Sequence, residues 1–125
     1  MLRSIGAVVA GYFVFAASAA LLFQLSGRAP HADAPAAFKL ATIIWGAVFA
    51  LVGGWLAAHV SVRRPSAHAA AVAGLIALGA IASMAARPSD ALWSQLAALV
   101  VMAPCAWLGG VLAARRKAET LRDGV

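Results

Sequence analysis

Four long apolar runs alternate with short polar interruptions along the chain. The runs lie near Ile5 to Leu25, Phe38 to Ala58, Ala69 to Ala86 and Ala91 to Ala114, and no charged residue stands away from their ends. A hydrocarbon core of about 30 Å takes roughly 20 mostly apolar helical residues, so runs of this length are long enough to cross a bilayer. They lack period-two alternation and are about twice as long as a membrane strand needs to be, which excludes a barrel. Helices are then the remaining way to satisfy every backbone group in lipid. The pattern predicts an all-α polytopic membrane protein, a single domain over residues 1–125 with four transmembrane helices. The third run, AAAVAGLIALGAIASMAA, is rich in Ala and Gly, which contribute little insertion free energy, and is expected to enter the bilayer with help from its neighbours.

The interruptions read GRAPHADAPAA, HVSVRRPSAH and RPSD, each holding prolines and charges that stop helices. They are too short for a soluble domain. Ser89 or Asp90 is expected to cap the fourth helix, since either side chain can accept from its orphan N–H groups. Pro104, near the middle of the fourth run, removes a backbone donor and is expected to bend that helix, as static shape rather than as a hinge.

Composition agrees with lipid as the solvent: of the 125 residues, 64% are hydrophobic and 11% charged, with a mean hydropathy of +0.91. An average globular chain carries about 25% charged residues, so this one has too little polar surface to cover itself in water. The net charge of +6 does not point to nucleic acid. The basic residues fall between runs and at the chain ends, with no basic groove interleaved with aromatics, so the lipid bilayer is the expected partner and nucleic acid is not.

Placing the N-terminus in the cytoplasm puts Arg3, Arg63, Arg64, Arg115, Arg116, Lys117 and Arg122 inside, with only Arg28, Lys39 and Arg87 outside. The positive-inside rule therefore predicts both termini cytoplasmic, in the inner (plasma) membrane of a cell. A cleaved signal peptide is the competing account, because Arg3 precedes an apolar stretch and Ala32-Asp33-Ala34 resembles a cleavage site. The stretch is longer than the 7 to 15 residues of a signal h-region. Trp45 and Trp93 fall towards the outer ends of their spans and Trp55 and Trp107 towards the inner ends, a placement that suits interfacial anchoring, with Trp45 and Trp107 close enough to the middle to pack between helices.

Small residues mark the packing faces. A spacing of four puts Gly46, Ala50, Gly54 and Ala58 on one ridge of the second span, and Ala106, Gly110 and Ala114 on one ridge of the fourth. Such ridges let backbones approach closely where no hydrophobic drive brings helices together. Ala7 and Gly11, and Gly74 and Gly79, are candidates for the facing surfaces. The second and fourth spans also align through ALVGGWLAA and AWLGGVLAA, as two hairpins of one design related by an axis along the membrane normal. Composition and the positive-inside rule produce the same likeness without a repeat, and both accounts stand on the sequence.

Chemistry is harder to find. His31 belongs to the outer loop while His59 and His68 flank the inner one, so the three histidines cannot form one metal site, and arginines beside the inner pair repel a cation. Asp33, Asp90, Glu119 and Asp123 all lie outside the spans, which leaves no intramembrane carboxylate for proton relay or acid–base work. Ser18, Thr42, Ser83 and Gln95 are each expected to be satisfied by a backbone carbonyl or a neighbouring helix, and Gln24 and Gln95 to share one level. Cys105 has no partner cysteine and reads as a small packing residue. No catalytic residue, metal or cofactor is expected, and the chain is not read as an enzyme.

Small multidrug exporters share the length and span count but rely on an acidic residue in the first span, which here reads IGAVVAGYFVFAASAALLF. Small fluoride channels use polar residues that include Asn, and this chain has none. The chain does resemble an uncharacterised family of small four-span bacterial inner-membrane proteins, through Met1 to Tyr12 (MLRSI, then AVVAGY) and Gly53 to Ala58 (GGWLAA). The resemblance implies a bacterial inner-membrane location and four spans, and carries no activity. The expected function is a non-enzymatic one through helix contacts, as a homo-oligomer or an accessory subunit of a membrane assembly. The alternative is a small transporter or channel for a neutral or hydrophobic solute.

Overall fold

The computed structural model describes residues 2–88 and 90–124, and contains four long helices. These are α1 (Leu2–Ser26), α2 (Ala36–Val60), α3 (Pro65–Ala86) and α4 (Trp93–Asp123), and all four are long and apolar enough to cross a membrane. The chain is an all-α, four-helix membrane protein. Successive helices run antiparallel, so the bundle has a termini end, with the α2–α3 turn, and a loop end, with the α1–α2 and α3–α4 loops. Lys117 marks the first, donating from Nζ to the Ser61 carbonyl at 2.9 Å. Trp93 marks the second, donating from Nε1 to the Ala32 carbonyl at 2.9 Å.

The side chains are distributed in the reverse of a soluble protein. Alanines fill the interior, with Ala50, Ala57, Ala58, Ala69 and Ala106 fully buried, while Phe13, Ile44, Val48, Leu78 and Val100 stand exposed on the outer surface. In water such a surface would drive aggregation; in lipid it is solvated. What holds the bundle is close approach of backbones, which requires small residues inside.

Two glycine doublets organise that approach. Consecutive helical residues point about 100° apart, so a doublet serves two neighbours at once. On α2, a Cβ on Gly53 would strike the Gly11 carbonyl of α1, and one on Gly54 would strike the Ala106 carbonyl of α4. On α4, a Cβ on Gly109 would strike the Leu51 carbonyl of α2, and one on Gly110 the side chain of Ala69 on α3. The ridge residues Gly46, Ala50, Gly54, Ala58, Ala106 and Gly110 are all buried; Ala114 is half-buried at the edge, and Ala113 takes the interior position instead.

The aligned doublets are not used equivalently. Gly53 faces the helix before its own, whereas its aligned counterpart Gly109 faces α2. The helix arrangement is equally uneven: α2 and α3 touch each other and both outer helices, while α1 and α4 do not meet. A twofold repeat would pair α2–α3 with α4–α1, so the likeness of the two sequences does not extend to their packing.

The start of α4 differs from the sequence expectation. Its first helical residue is Trp93 and its cap is Leu92, without a side-chain cap bond. Asp90 instead lies 4.0 Å from Arg87, and Ser89 lies outside the described residues. Inside α4 a π-helical turn, Ala98–Met102, precedes Pro104, and Ala103 donates its N–H back five residues to Ala98. Pro104 has no N–H to offer Val100, and the wider turn accommodates the loss. The helix then runs to Asp123, well past the apolar run, with Arg115 and Arg116 exposed and Lys117 reaching back to Ser61.

Candidate binding cavity

Because α1 and α4 do not meet, a gap remains between them in the loop half of the bundle. It is a cavity of about 250 Å³ walled by all four helices. From α1 come Tyr12, Phe15, Ala19, Leu22 and Phe23; from α2 Thr42, Trp45 and Gly46; from α3 Ile76, Gly79, Ala80 and Ser83; from α4 Ser94, Gln95, Ala98 and Met102, with His31 from the loop. The π-turn supplies Ala98 and Met102, so the irregularity before Pro104 shapes the cavity wall. Gly46 leaves the space that the Met102 side chain fills. Trp45 packs between helices, donating from Nε1 to the Ser18 carbonyl at 3.1 Å. Trp107, by contrast, is exposed on the outer surface and not between helices.

Besides Trp45 Nε1 and the half-buried Tyr12 hydroxyl, the polar groups of the wall fall into two kinds. Four of them close a ring. His31 Nδ1 lies 2.8 Å from Ser94 Oγ, Ser94 Oγ donates to Gln95 Oε1 at 3.0 Å, Gln95 Nε2 donates to Ser83 Oγ at 3.5 Å, and Ser83 Oγ lies 3.3 Å from His31 Nε2. Since Ser94 gives its proton to Gln95, it accepts from His31 Nδ1, and the contact between His31 Nε2 and Ser83 closes the circle. This ties the loop to α3 and α4 and gives both amide ends of Gln95, which is 1% exposed, a partner. Gln24 is exposed and takes no part.

Thr42 is the other kind. It is 5% exposed, and its Oγ1 is buried with no hydrogen-bond partner. The sequence expectation of a backbone partner holds for Ser18, which donates to the Phe15 carbonyl at 2.7 Å, and does not hold for Thr42.

The loop is fixed at further points. His31 adopts a left-handed backbone, φ 67°, and lies on the cavity wall. Asp33 pairs with Lys39 at 2.6 Å. That hydrogen bond, with the Ala34 N–H and the Lys39 charge, holds the Asp33 carboxyl below the usual carboxylate range. Lys39 also lies 5.9 Å from the Trp93 ring centroid, and Arg28 sits 4.8 Å over Phe38.

No lining residue is an acid, a lysine or an arginine. The remaining histidines are at the termini end: His59 stacks on Trp55 with ring centroids 4.7 Å apart, and His68 Nδ1 lies 3.0 Å from the Arg64 carbonyl. Among the described residues no three of His, Cys, Asp and Glu come together as metal ligands. The sequence-predicted packing residues lie outside this cavity, Gly46 and Gly79 excepted; His31, Thr42, Ser83 and Gln95 were visible as polar residues and Ser94 was not singled out, and their convergence depends on helix order. Comparison with protein-family models, with curated proteins and with solved structures returns no match.

Proposed function

We propose that this protein is a small transporter that takes a neutral, largely apolar solute into the cavity between α1 and α4. The observation that carries this reading is the cavity itself, about 250 Å³ of space walled by aromatic and aliphatic side chains with a few neutral polar groups and no counter-ion. Sites for small molecules have this character, and a charged solute would lose its hydration without compensation. An open channel is less well supported, because the termini half is packed backbone to backbone through Gly11, Gly53, Gly54 and Gly109. The test is solute-dependent flux in reconstituted vesicles, reduced by Gln95→Leu, which breaks the ring on the cavity wall. No flux above empty vesicles across a broad panel of neutral solutes would remove the reading.

The location proposed is a bacterial inner membrane with both termini in the cytoplasm, supported by the excess of basic residues at the termini end and by the family resemblance. Reporter fusions at the C-terminus that fold only in the cytoplasm are expected to be active.

A second reading, contact with a partner helix or another copy, is favoured by one feature. The ridges are used within the chain, but an apolar groove of about 470 Å³ runs on the outside between α1 and α3, lined by Ser4, Ile5, Val8, Val9, Ala67, Ala71 and Leu75 among others. Native mass spectrometry from lipid nanodiscs separates the readings: a retained partner or a fixed oligomer favours contact, and a monomer favours the solute reading.

A further inference from the structure

We infer that the cavity recognises a neutral single-ring molecule bearing one hydrogen-bonding oxygen, and that Thr42 is the residue that reads that oxygen. The inference rests on the solute-binding reading above and makes it chemically specific.

Three observations converge. The first is which fully buried polar group is free, the Tyr12 hydroxyl being only half-buried. The His31, Ser83, Ser94 and Gln95 side chains answer one another in a closed ring, so each has a partner without a ligand. Among the described residues, Thr42 Oγ1 is the buried side-chain polar atom left without a partner. A hydroxyl buried in an apolar bundle is costly to leave unpaired, and Thr42 belongs to the cavity wall, where an occupant can supply the missing partner. The oxygen is covered in this conformation; threonine in a helix populates two χ1 wells, and recognition requires the rotation about Cα–Cβ that brings the oxygen to the void.

The second is size. A cavity of about 150 Å³ accepts benzene, and pockets for drug-sized ligands begin near 300 Å³. The 250 Å³ here matches a substituted single ring more closely than a fused polycyclic molecule. The third is the chemistry of the wall: Tyr12, Phe15, Phe23 and Trp45 offer ring faces and edges, and no charged side chain stands opposite them to compensate an ionised ligand.

The experiment uses the full chain in lipid nanodiscs, with nanodiscs of the same lipid alone subtracted. Toluene and benzyl alcohol are the paired probes, similar in shape and differing in the hydroxyl. Wild type is expected to bind benzyl alcohol about tenfold more tightly than toluene, the effect of one buried hydrogen bond gained. Thr42→Val, which keeps the shape, is expected to erase that preference, and Thr42→Ser, which keeps the hydroxyl, to retain it. Ala80→Leu, which fills the cavity, is expected to weaken both probes. Equal binding of the two probes by wild type, with both lost in Ala80→Leu, would overturn the role of Thr42 while leaving the cavity reading standing. No binding of either probe above the lipid control would overturn both. The wild-type probe comparison needs no variant, so a Thr42→Val protein that fails to fold does not shield the inference.

Discussion

The two halves of the bundle are made from the same four helices and pack by opposite rules. In the termini half, Gly11, Gly53, Gly54, Gly109 and Gly110 remove the side chains that would hold the helices apart, and carbonyls of one helix sit where a neighbour's Cβ would be. In the loop half, Tyr12, Phe15, Phe23 and Trp45 take the corresponding interior positions, and a cavity remains. Apolar character is common to both halves and does not separate them. Side-chain volume does: where there is no hydrophobic drive between helices, small residues make contact and large ones make room.

The largest effect is expected where that contact is tightest. Gly54→Leu places a branched side chain against the Ala106 backbone, which cannot move aside without displacing α4, and is expected to cost ~3 kcal/mol or more in bundle stability. Gly74→Leu is the matched control, since nothing lies within 4 Å of a Cβ there, and is expected to fall within about 0.5 kcal/mol of wild type. Thermal unfolding in matched detergent reads both; similar losses in the two variants would break the distinction between interior and lipid-facing glycine.

A smaller effect is expected in the loop half. Gln95→Leu fits the apolar bundle but leaves the ring hydroxyls Ser83 and Ser94 each short of a partner, a cost of about 1–3 kcal/mol, and frees the loop at His31. Faster proteolysis within residues 27–35, with the termini end unaffected, is the outcome that would show the two halves respond separately.

The smallest effect belongs to the Asp33–Lys39 pair. The folded Asp33 carboxyl titrates below its unfolded value, so its contribution is present above the ordinary carboxylate pKa of about 3.9 and is lost as pH falls through the lowered folded value. The group is fully exposed and solvent screens the pair, so the acid loss of stability is expected to be slight, and Asp33→Asn to remove it. Melting curves taken from neutral pH to below the carboxylate range, for wild type and variant together, measure the difference.

How much of this was legible in the sequence follows the same division. The four spans were readable because uninterrupted apolar length is itself the signal, and α2 and α4 kept their ridges because a spacing of four maps onto one helix face whatever lies opposite. Gly109 went unassigned, since it lies beside the ridge and faces α2 only once helix order is known. Pro104 announced an irregularity, but the π-turn that absorbs it depends on packing around Met102 and Gly46. Thr42 and the ring were hidden for a stronger reason: whether a hydroxyl finds a partner depends on residues 31, 83, 94 and 95 meeting across three separate segments, which no local pattern encodes.

The contrast between the halves can be measured with single cysteines in a Cys105→Ala background, using a small neutral maleimide on the protein in nanodiscs. Ala80→Cys, on the cavity wall, is expected to label much faster than Ala106→Cys, which lies under Gly54, and to be protected by benzyl alcohol. Equal labelling at the two positions, or an Ala80→Cys as inert as Ala106→Cys, would contradict an open, ligand-accessible half set against a closed one.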